Sequence, residues 1–279
     1  MPFIPYEESL RRLRAEIAAG RPIIGAGAGT GISAKFAERG GVDLIIIYNS
    51  GRYRMAGRGS AAGILAYGDA NAIVEEMAGE VLPVVQDVMV LAGVNGTDPF
   101  RMMPVFLRKL KDMGFDGVQN FPTVGVIDGT FRQILEETGM SFDLEVEMIR
   151  EAHKLDMLTC PYVFDVSQVE KMIDAGADLL VTHMNTTVKG SIGVSTTAPS
   201  LDHAAELIQD MHDRAKQLRP DVIVLCHGGP LAEPEDVQYV LDRTEGIDGF
   251  FGASSIERLA AEPAIEAQAR RFKDLNIGR

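Results

Sequence analysis

Short, almost wholly apolar runs alternate along this chain with longer stretches in which apolar residues recur every three or four positions. The short runs are Pro22–Ala26, Asp43–Tyr48, Leu82–Asp87, Gly117–Phe121, Met157–Cys160, Asp178–His183, Val222–His227 and Gly249–Gly252. Most are too apolar to have one wet face, which predicts parallel strands covered on both sides. Between them, Phe100, Met103, Phe106, Leu110 and Met113 fall at helical spacing, as do Leu201, Ala204, Ile208, Met211, Ala215 and Leu218. Asp98-Pro99 and Glu233-Pro234 read as helix starts, with Asp165, Ser200 and Ser255 as further caps. Gly40, Gly114, Gly139 and Gly176 read as helix stops. Two helices split near Gly139–Ser141 are predicted within 128–155.

Strand and helix repeated eight times predict a (β/α)8 TIM barrel in a single domain over residues 1–279; a doubly wound open sheet is the alternative. Both folds place ligands beyond the carboxyl ends of the strands. Polar and glycine residues concentrate at those ends. Gly228 and Gly229 follow strand seven, and Gly252, Ala253 and Ser254 follow strand eight. With a helix starting near Ser255, these turns would offer main-chain donors to a phosphate or another small anion. The alternative is that the glycines serve tight turns alone. Gly27 and Gly29, in the run Gly25-Ala26-Gly27-Ala28-Gly29-Thr30-Gly31, either line the site or only tighten a turn. A dinucleotide fingerprint would need glycine at Thr30 or Ile32, and an acidic residue where Asn49 and Ser50 stand, so no nucleotide cofactor is expected.

His183 and His227 end neighbouring strands and are candidates for moving a proton. His203 and His212, on a helix, are expected in solvent, as is His153. Asp87 is the carboxylate expected at the end of strand three, where it would serve a metal such as Mg²⁺ or Mn²⁺ or pair with a cation. The segment from Asn49 to Gly68 reads as a long loop carrying Arg52, Arg54 and Arg58, suited to clamping a carboxylate or left in solvent. Asn120 stands at the end of strand four. Cys160 and Cys226 read as buried thiols.

Charge narrows the partners. The formal net charge is −13, with 46% hydrophobic and 24% charged residues among 279. That argues against a basic footprint for nucleic acid and against a polybasic membrane patch. Two cysteines and the lack of a signal-like start point to a reducing, cytoplasmic setting. Self-association is expected through the helices at Phe100 and Leu201.

The strings Gly25–Ser33, Ile47–Arg52, Gly117–Gly125, Leu225–Pro230 and Phe250–Ser255 resemble the phosphoenolpyruvate hydrolase-like family of TIM-barrel proteins, over nearly the whole chain. The resemblance implies kinship with the phosphoenolpyruvate mutase and isocitrate lyase group, and hydrolysis of phosphoenolpyruvate or phosphonopyruvate. It likens Ser50-Gly51 to the pair holding the substrate's carboxylate end, and Asp87 to a metal-linked aspartate. The group's Asp-x-Asp-x-Gly motif is not matched, since Val88 and Met89 follow Asp87, and its Lys-Cys-Gly loop is missing.

The sequence reading is therefore a hydrolase of a small phosphorylated or phosphonate oxo-acid. The anion would rest on Gly228, Gly229, Gly252, Ala253 and Ser254, and the carboxylate on Ser50, Gly51 and Arg52. Asp87 would orient the reacting oxygen, and His183 or His227 would shuttle the proton. Two alternatives remain: a non-catalytic ligand-sensing or partner-binding barrel, and a carbon–carbon lyase or aldolase. No lysine ends a strand to form a Schiff base.

Overall fold

The structure is a computed structural model and describes residues 4–277. Nine strands form one wholly parallel sheet. They are β1 (Ile23–Gly27), β2 (Leu44–Ile47), β3 (Met89–Val94), β4 (Gly117–Asn120), β5 (Leu158–Thr159), β6 (Tyr162–Val163), β7 (Leu179–His183), β8 (Ile223–His227) and β9 (Gly249–Gly252). Their order is β5-β4-β3-β2-β1-β9-β8-β7-β6. The first and last strands are therefore neighbours. The sheet's two outer strands, β5 and β6, are separated in the chain only by Cys160 and Pro161. The Cys160 amide donates to Val118 and the Val181 amide to the Pro161 carbonyl, so hydrogen bonds hold both sides of that break. Pro161 has no N–H to give, which interrupts the ladder there. The sheet is thus curled into a TIM-barrel-like form, without the reversal of strand order that a doubly wound sheet requires.

The helices are α1 (Tyr6–Ala18), α2 (Gly31–Arg39), α3 (Asn49–Met55), α4 (Ala70–Val81), α5 (Met103–Met113), α6 (Gly129–Glu137), α7 (Phe142–Lys154), α8 (Val166–Asp174), α9 (Leu201–Leu218), α10 (Pro234–Leu241) and α11 (Arg258–Lys273). Asp165 and Ser200 cap as expected, and Glu233 forms a capping box with Asp236. Gly114 ends α5 in the left-handed region at φ 104°. The split pair α6 and α7 falls within 128–155, as the pattern predicts. No helix among the described residues is long and apolar enough to cross a membrane.

A recurring aspartate closes the amino ends of the strands. Asp43, Asp116, Asp178 and Asp248 each stand just before a strand. Each accepts from a backbone amide of a neighbouring strand: Ile24 (2.8 Å), Val90 (2.8 Å), Thr159 (2.9 Å) and Val224 (2.9 Å) respectively. These carboxylates are consumed by the scaffold. The carboxyl ends of the strands lack this stapling and are left for chemistry.

Four expectations are corrected. Leu82–Asp87 is not a strand: Leu82–Val84 is a 3-10 turn, because Pro83 cannot donate to a ladder, and the strand follows at Met89–Val94. Asp98 does not cap α5, which starts at Met103; its carboxylate takes the Phe100 amide, the Asn71 amide group and Arg101. α11 starts at Arg258 rather than near Ser255. His212 is buried, bonded to Asp213 and Gln209, rather than solvated.

Candidate functional site

The segment 49–68 is not a bare loop. Tyr48 follows β2 as the N-cap of α3, and the chain then enters a 3-10 turn at Ser60–Ile64. Two consecutive side chains fasten that turn down. Asn49 donates to the Gly63 carbonyl at 2.8 Å, and the Ser50 hydroxyl donates to the Ser60 carbonyl at 2.7 Å. Ser60, Ala61 and Ile64 thereby roof a pocket at the carboxyl ends of the strands.

This pocket, of about 40 Å³, is lined by Tyr48, Ser50 and Arg54 from one side. Tyr162, His183 and Thr187 close the other, with His227, Ala253 and Ser254 between them. Its polar lining is nearly sealed: Ser50, Arg54, Tyr162, His227 and Ser254 are all buried. A larger cleft of about 550 Å³ lies across the 60–64 turn, lined by Asn95, Asp98, Phe100 and Phe131 among others. Asp98 is spent there on structural partners, so the smaller pocket carries the better-placed chemistry.

Arg54 is the site's central charge. Its Nε and Nη2 donate to Glu257 at 3.1 and 2.8 Å, and both side chains are about 1–2% exposed. Glu257 in turn takes the Gly29 amide at 2.6 Å. Burial works against the charged guanidinium, but Tyr48 and Glu257 outweigh it and hold its pKa above the usual arginine value. Nη1 and the Tyr162 hydroxyl make no well-directed hydrogen bond; the Tyr48 hydroxyl is the polar neighbour that both lean on. Unpaired buried donors of this kind cost free energy until something accepts from them.

The two imidazoles meet edge to face, with centroids 4.4 Å apart, and His227 stacks on Tyr162 at 5.2 Å. The Asn185 amide donates to His183 Nδ1 at 2.9 Å, which leaves the proton of the neutral ring on Nε2. His227 Nδ1 donates to the Phe251 carbonyl, which leaves Nε2 as a bare acceptor. Burial depresses both rings, His227 to about 4 and His183 well below the usual range, and His227 adds to the shift at His183. At neutral pH the pocket therefore holds one imidazole donor and one imidazole acceptor.

Of the residues singled out in the sequence, Ser50, His183, His227, Ala253 and Ser254 come together here. Gly27 lies directly behind, where an added Cβ would meet the Ala253 Cβ and the Tyr48 hydroxyl. Asn120 is buried outside the pocket; it accepts from the Tyr162 amide at 2.7 Å and donates to Glu145, so it positions Tyr162. Gly29 and Gly51 are a close approach of two backbones. A Cβ on Gly29 would lie 2.5 Å from the Gly51 carbonyl carbon and 2.8 Å from Met55 Cγ. Gly29→Ala is accordingly expected to push α3 away and destabilise the fold by several kcal/mol, on the order of an overpacked core, read as a lower urea midpoint.

The rest of the expected set is elsewhere. Arg52 points outward to Glu76 and Glu80, and Arg54 takes the place assigned to it. Gly228 and Gly229, at φ 78° and 55°, form a turn packed on Met184 and Asn185, and the Gly229 amide is spent on the Asn185 carbonyl. Gly252 packs against Ile256 and Phe250. Asp87 is exposed at the amino end of β3, the opposite end from the pocket, where its amide donates to Glu38. Asp87→Ala is expected to leave the melting temperature and oxalate titrations at wild-type values. Sequence reasoning passed over Tyr48, Ser60, Tyr162, Thr187 and Glu257. Arg54 had a usable signal: it is four residues after Ser50, on the same helical face, whereas Arg52 is not.

A family model described as phosphoenolpyruvate hydrolase-like matches residues 8–275. The chain belongs to that family. It is 59% identical over 268 residues to the ToMV resistance protein Tm-1(GCR237) and to the ToMV susceptible protein tm-1(GCR26), both of Solanum lycopersicum. The match covers 96% of this chain and 35% of each relative, so the chain spans about a third of their length. Among solved structures it is similar to a phosphoenolpyruvate phosphomutase from Streptomyces platensis subsp. rosaceus (TM-score 0.59, 18% identity, 95% of this chain and 88% of that one). It is also similar to a phosphonopyruvate hydrolase crystallised with oxalate and Mg²⁺ (TM-score 0.57, 16% identity, 95% and 87%). At those identities the likeness is one of fold.

The residues present do not suit a hard dication. Among the described residues the pocket's lining contains no carboxylate, the acid beside Arg54, Glu257, is bonded to Arg54 and Gly29, and Arg54 itself would repel a cation. Among the described residues no group of three His, Cys, Asp or Glu side chains is placed to hold a metal.

Proposed function

We propose that this pocket binds a small oxo-acid by its anionic end and hydrolyses it, with phosphonopyruvate or phosphoenolpyruvate as the substrate class. The observation that carries the reading is the pair of buried groups without a well-directed acceptor, Arg54 Nη1 and the Tyr162 hydroxyl, on residues that line the same pocket. An anionic oxygen supplies the acceptor both need, and Ser254 adds a hydroxyl.

The histidine pair divides the work. His183 Nε2–H donates to the substrate carbonyl. His227 Nε2 takes a proton from water as its oxygen attacks phosphorus. For phosphonopyruvate, the new P–O bond forms and the P–C bond breaks; the electron pair passes into the pyruvate enolate, which recovers the proton from His227. One water is consumed, and phosphate and pyruvate leave. Fixed donors around the developing charge carry most of the acceleration.

The lack of any lining carboxylate or lysine favours a second reading, a sensor that binds the acid without turnover; it disfavours a Schiff-base lyase. Phosphate release from phosphonopyruvate and phosphoenolpyruvate separates the two. Release supports hydrolysis, binding without release supports the sensor, and neither binding nor release overturns both.

A cytoplasmic setting is proposed from the two free, buried cysteines, Cys226 with its thiol pushed by burial up to about 12. We also propose self-association. The exposed apolar residues that favour it are Phe100, Met102 and Val105 around the start of α5, as expected, with Ile32, Phe36, Ile265 and Phe272 on α2 and α11; α9, the other helix expected to serve, buries most of its apolar face. Light scattering checks it.

A further inference from the structure

The fold relatives include a hydrolase crystallised with Mg²⁺, yet this pocket is built with the opposite charge logic. Three positions show the change. The sequence carboxylate expected to serve a metal, Asp87, lies at the far end of its strand. The residue that follows β3 at the pocket end is Asn95, and the next carboxylate, Asp98, already accepts from Asn71, Arg101 and the Phe100 amide. The remaining acid near the pocket, Glu257, is closed by Arg54 and the Gly29 amide. Glu145, behind Asn120, is likewise occupied by Asn120, Thr123 and the Val124 amide. Among the described residues lining this pocket no carboxylate is left to compensate a dication, and desolvating one without such ligands is prohibitive.

What the pocket does hold is a fixed cation. Glu257 grips two guanidinium nitrogens and is itself tied to the glycine run after β1, so the guanidinium cannot swing out to solvent. Nη1 remains for a ligand. Around it stand the hydroxyls of Ser254 and Tyr162 and the Nε2–H of His183, neutral donors that share the charge of an incoming acid; the Ser50 proton is already given to the Ser60 carbonyl. Glu257 is thus a positioning residue, not one that touches the ligand.

Resting on the small-acid reading above, we propose that the site takes its acid without a divalent cation, the Arg54 guanidinium standing where a metal's charge would otherwise be needed. The probe is oxalate, titrated calorimetrically into the whole chain after exhaustive EDTA dialysis, and again with MgCl₂ or MnCl₂ added and the free oxalate corrected for chelation. The Mn²⁺ EPR signal is recorded in parallel, with and without protein. Expected are dissociation constants that agree within about twofold, a difference well under 1 kcal/mol, and a free Mn²⁺ signal that the protein does not diminish. Oxalate binding that appears only with metal, or Mn²⁺ lost from the free signal in proportion to protein, overturns the inference while leaving the small-acid pocket standing. No oxalate binding under any condition overturns the small-acid reading and this inference with it.

Discussion

Arg54→Gln is expected to lose both the ligand and much of the protein's stability, and the two losses can be separated. The substitution removes the only cation among the described residues of the pocket lining, so oxalate affinity should fall by about a hundredfold or more, the range for truncating a desolvated charge contact. It also strands Glu257, about 2% exposed, with only the Gly29 amide as partner. Leaving one member of a buried pair unpaired costs about 3–5 kcal/mol. Replacing both members at once leaves no such charge. The double variant Arg54→Gln, Glu257→Gln should therefore recover most of the urea midpoint, with the glutamine oxygen still free to accept from Gly29. It should not recover oxalate binding. Wild-type affinity in the double variant would remove Arg54 from the site. A single variant as stable as wild type would mean that the pair is not sealed from water.

The fold was legible because its signal is repeated. Seven of the eight apolar runs overlap strands, and each follows from both-face burial rather than from any one residue. The exception, Leu82–Asp87, is instructive: it carries Pro83, Gln86 and Asp87, whereas the adjacent and wholly apolar Met89–Val94 is the run that forms the strand. That single shift carried Asp87 from the pocket end of the strand to the opposite end and removed the supposed metal ligand. His183 and His227 were found because strand ends are visible in sequence. Arg54 was not ranked above Arg52, because choosing between them needs the helical phase of α3, and 49–68 reads as a loop by composition. Tyr162 and Glu257 were invisible for a different reason. A strand broken at Pro161 and a carboxylate that reaches back to residue 29 are products of closure, which no local pattern encodes.

The pH dependence should betray the histidine pair. With His227 depressed to about 4 by burial and the nearby Arg54, the imidazole stays a competent base well below neutrality. The acid limb of kcat/KM should then fall near pH 4 rather than near the ordinary imidazole value of about 6.5. His227→Gln, which can still donate to the Phe251 carbonyl, should lower kcat by about 10²–10⁴-fold and leave oxalate binding intact. Stability gives an independent reading. Between about pH 6.5 and 4 the unfolded chain binds a proton at residue 227 that the folded chain refuses, so this group makes stability fall as pH falls through that window. The full term is about 3 kcal/mol, at roughly 1.4 kcal/mol per unit. Glu145, raised to about 7 by burial, and Asp116, raised to about 6, act in the other direction, gaining protons in the folded state first. The whole-protein acid profile is consequently blunted, and the histidine must be isolated by difference. Relative to wild type, His227→Gln should gain stability steadily from pH 6.5 down to 4 and stay level above 7. A difference that is flat across that range would mean that the imidazole takes up its proton as readily in the folded protein as in the unfolded chain, so that residue 227 is not sealed from solvent.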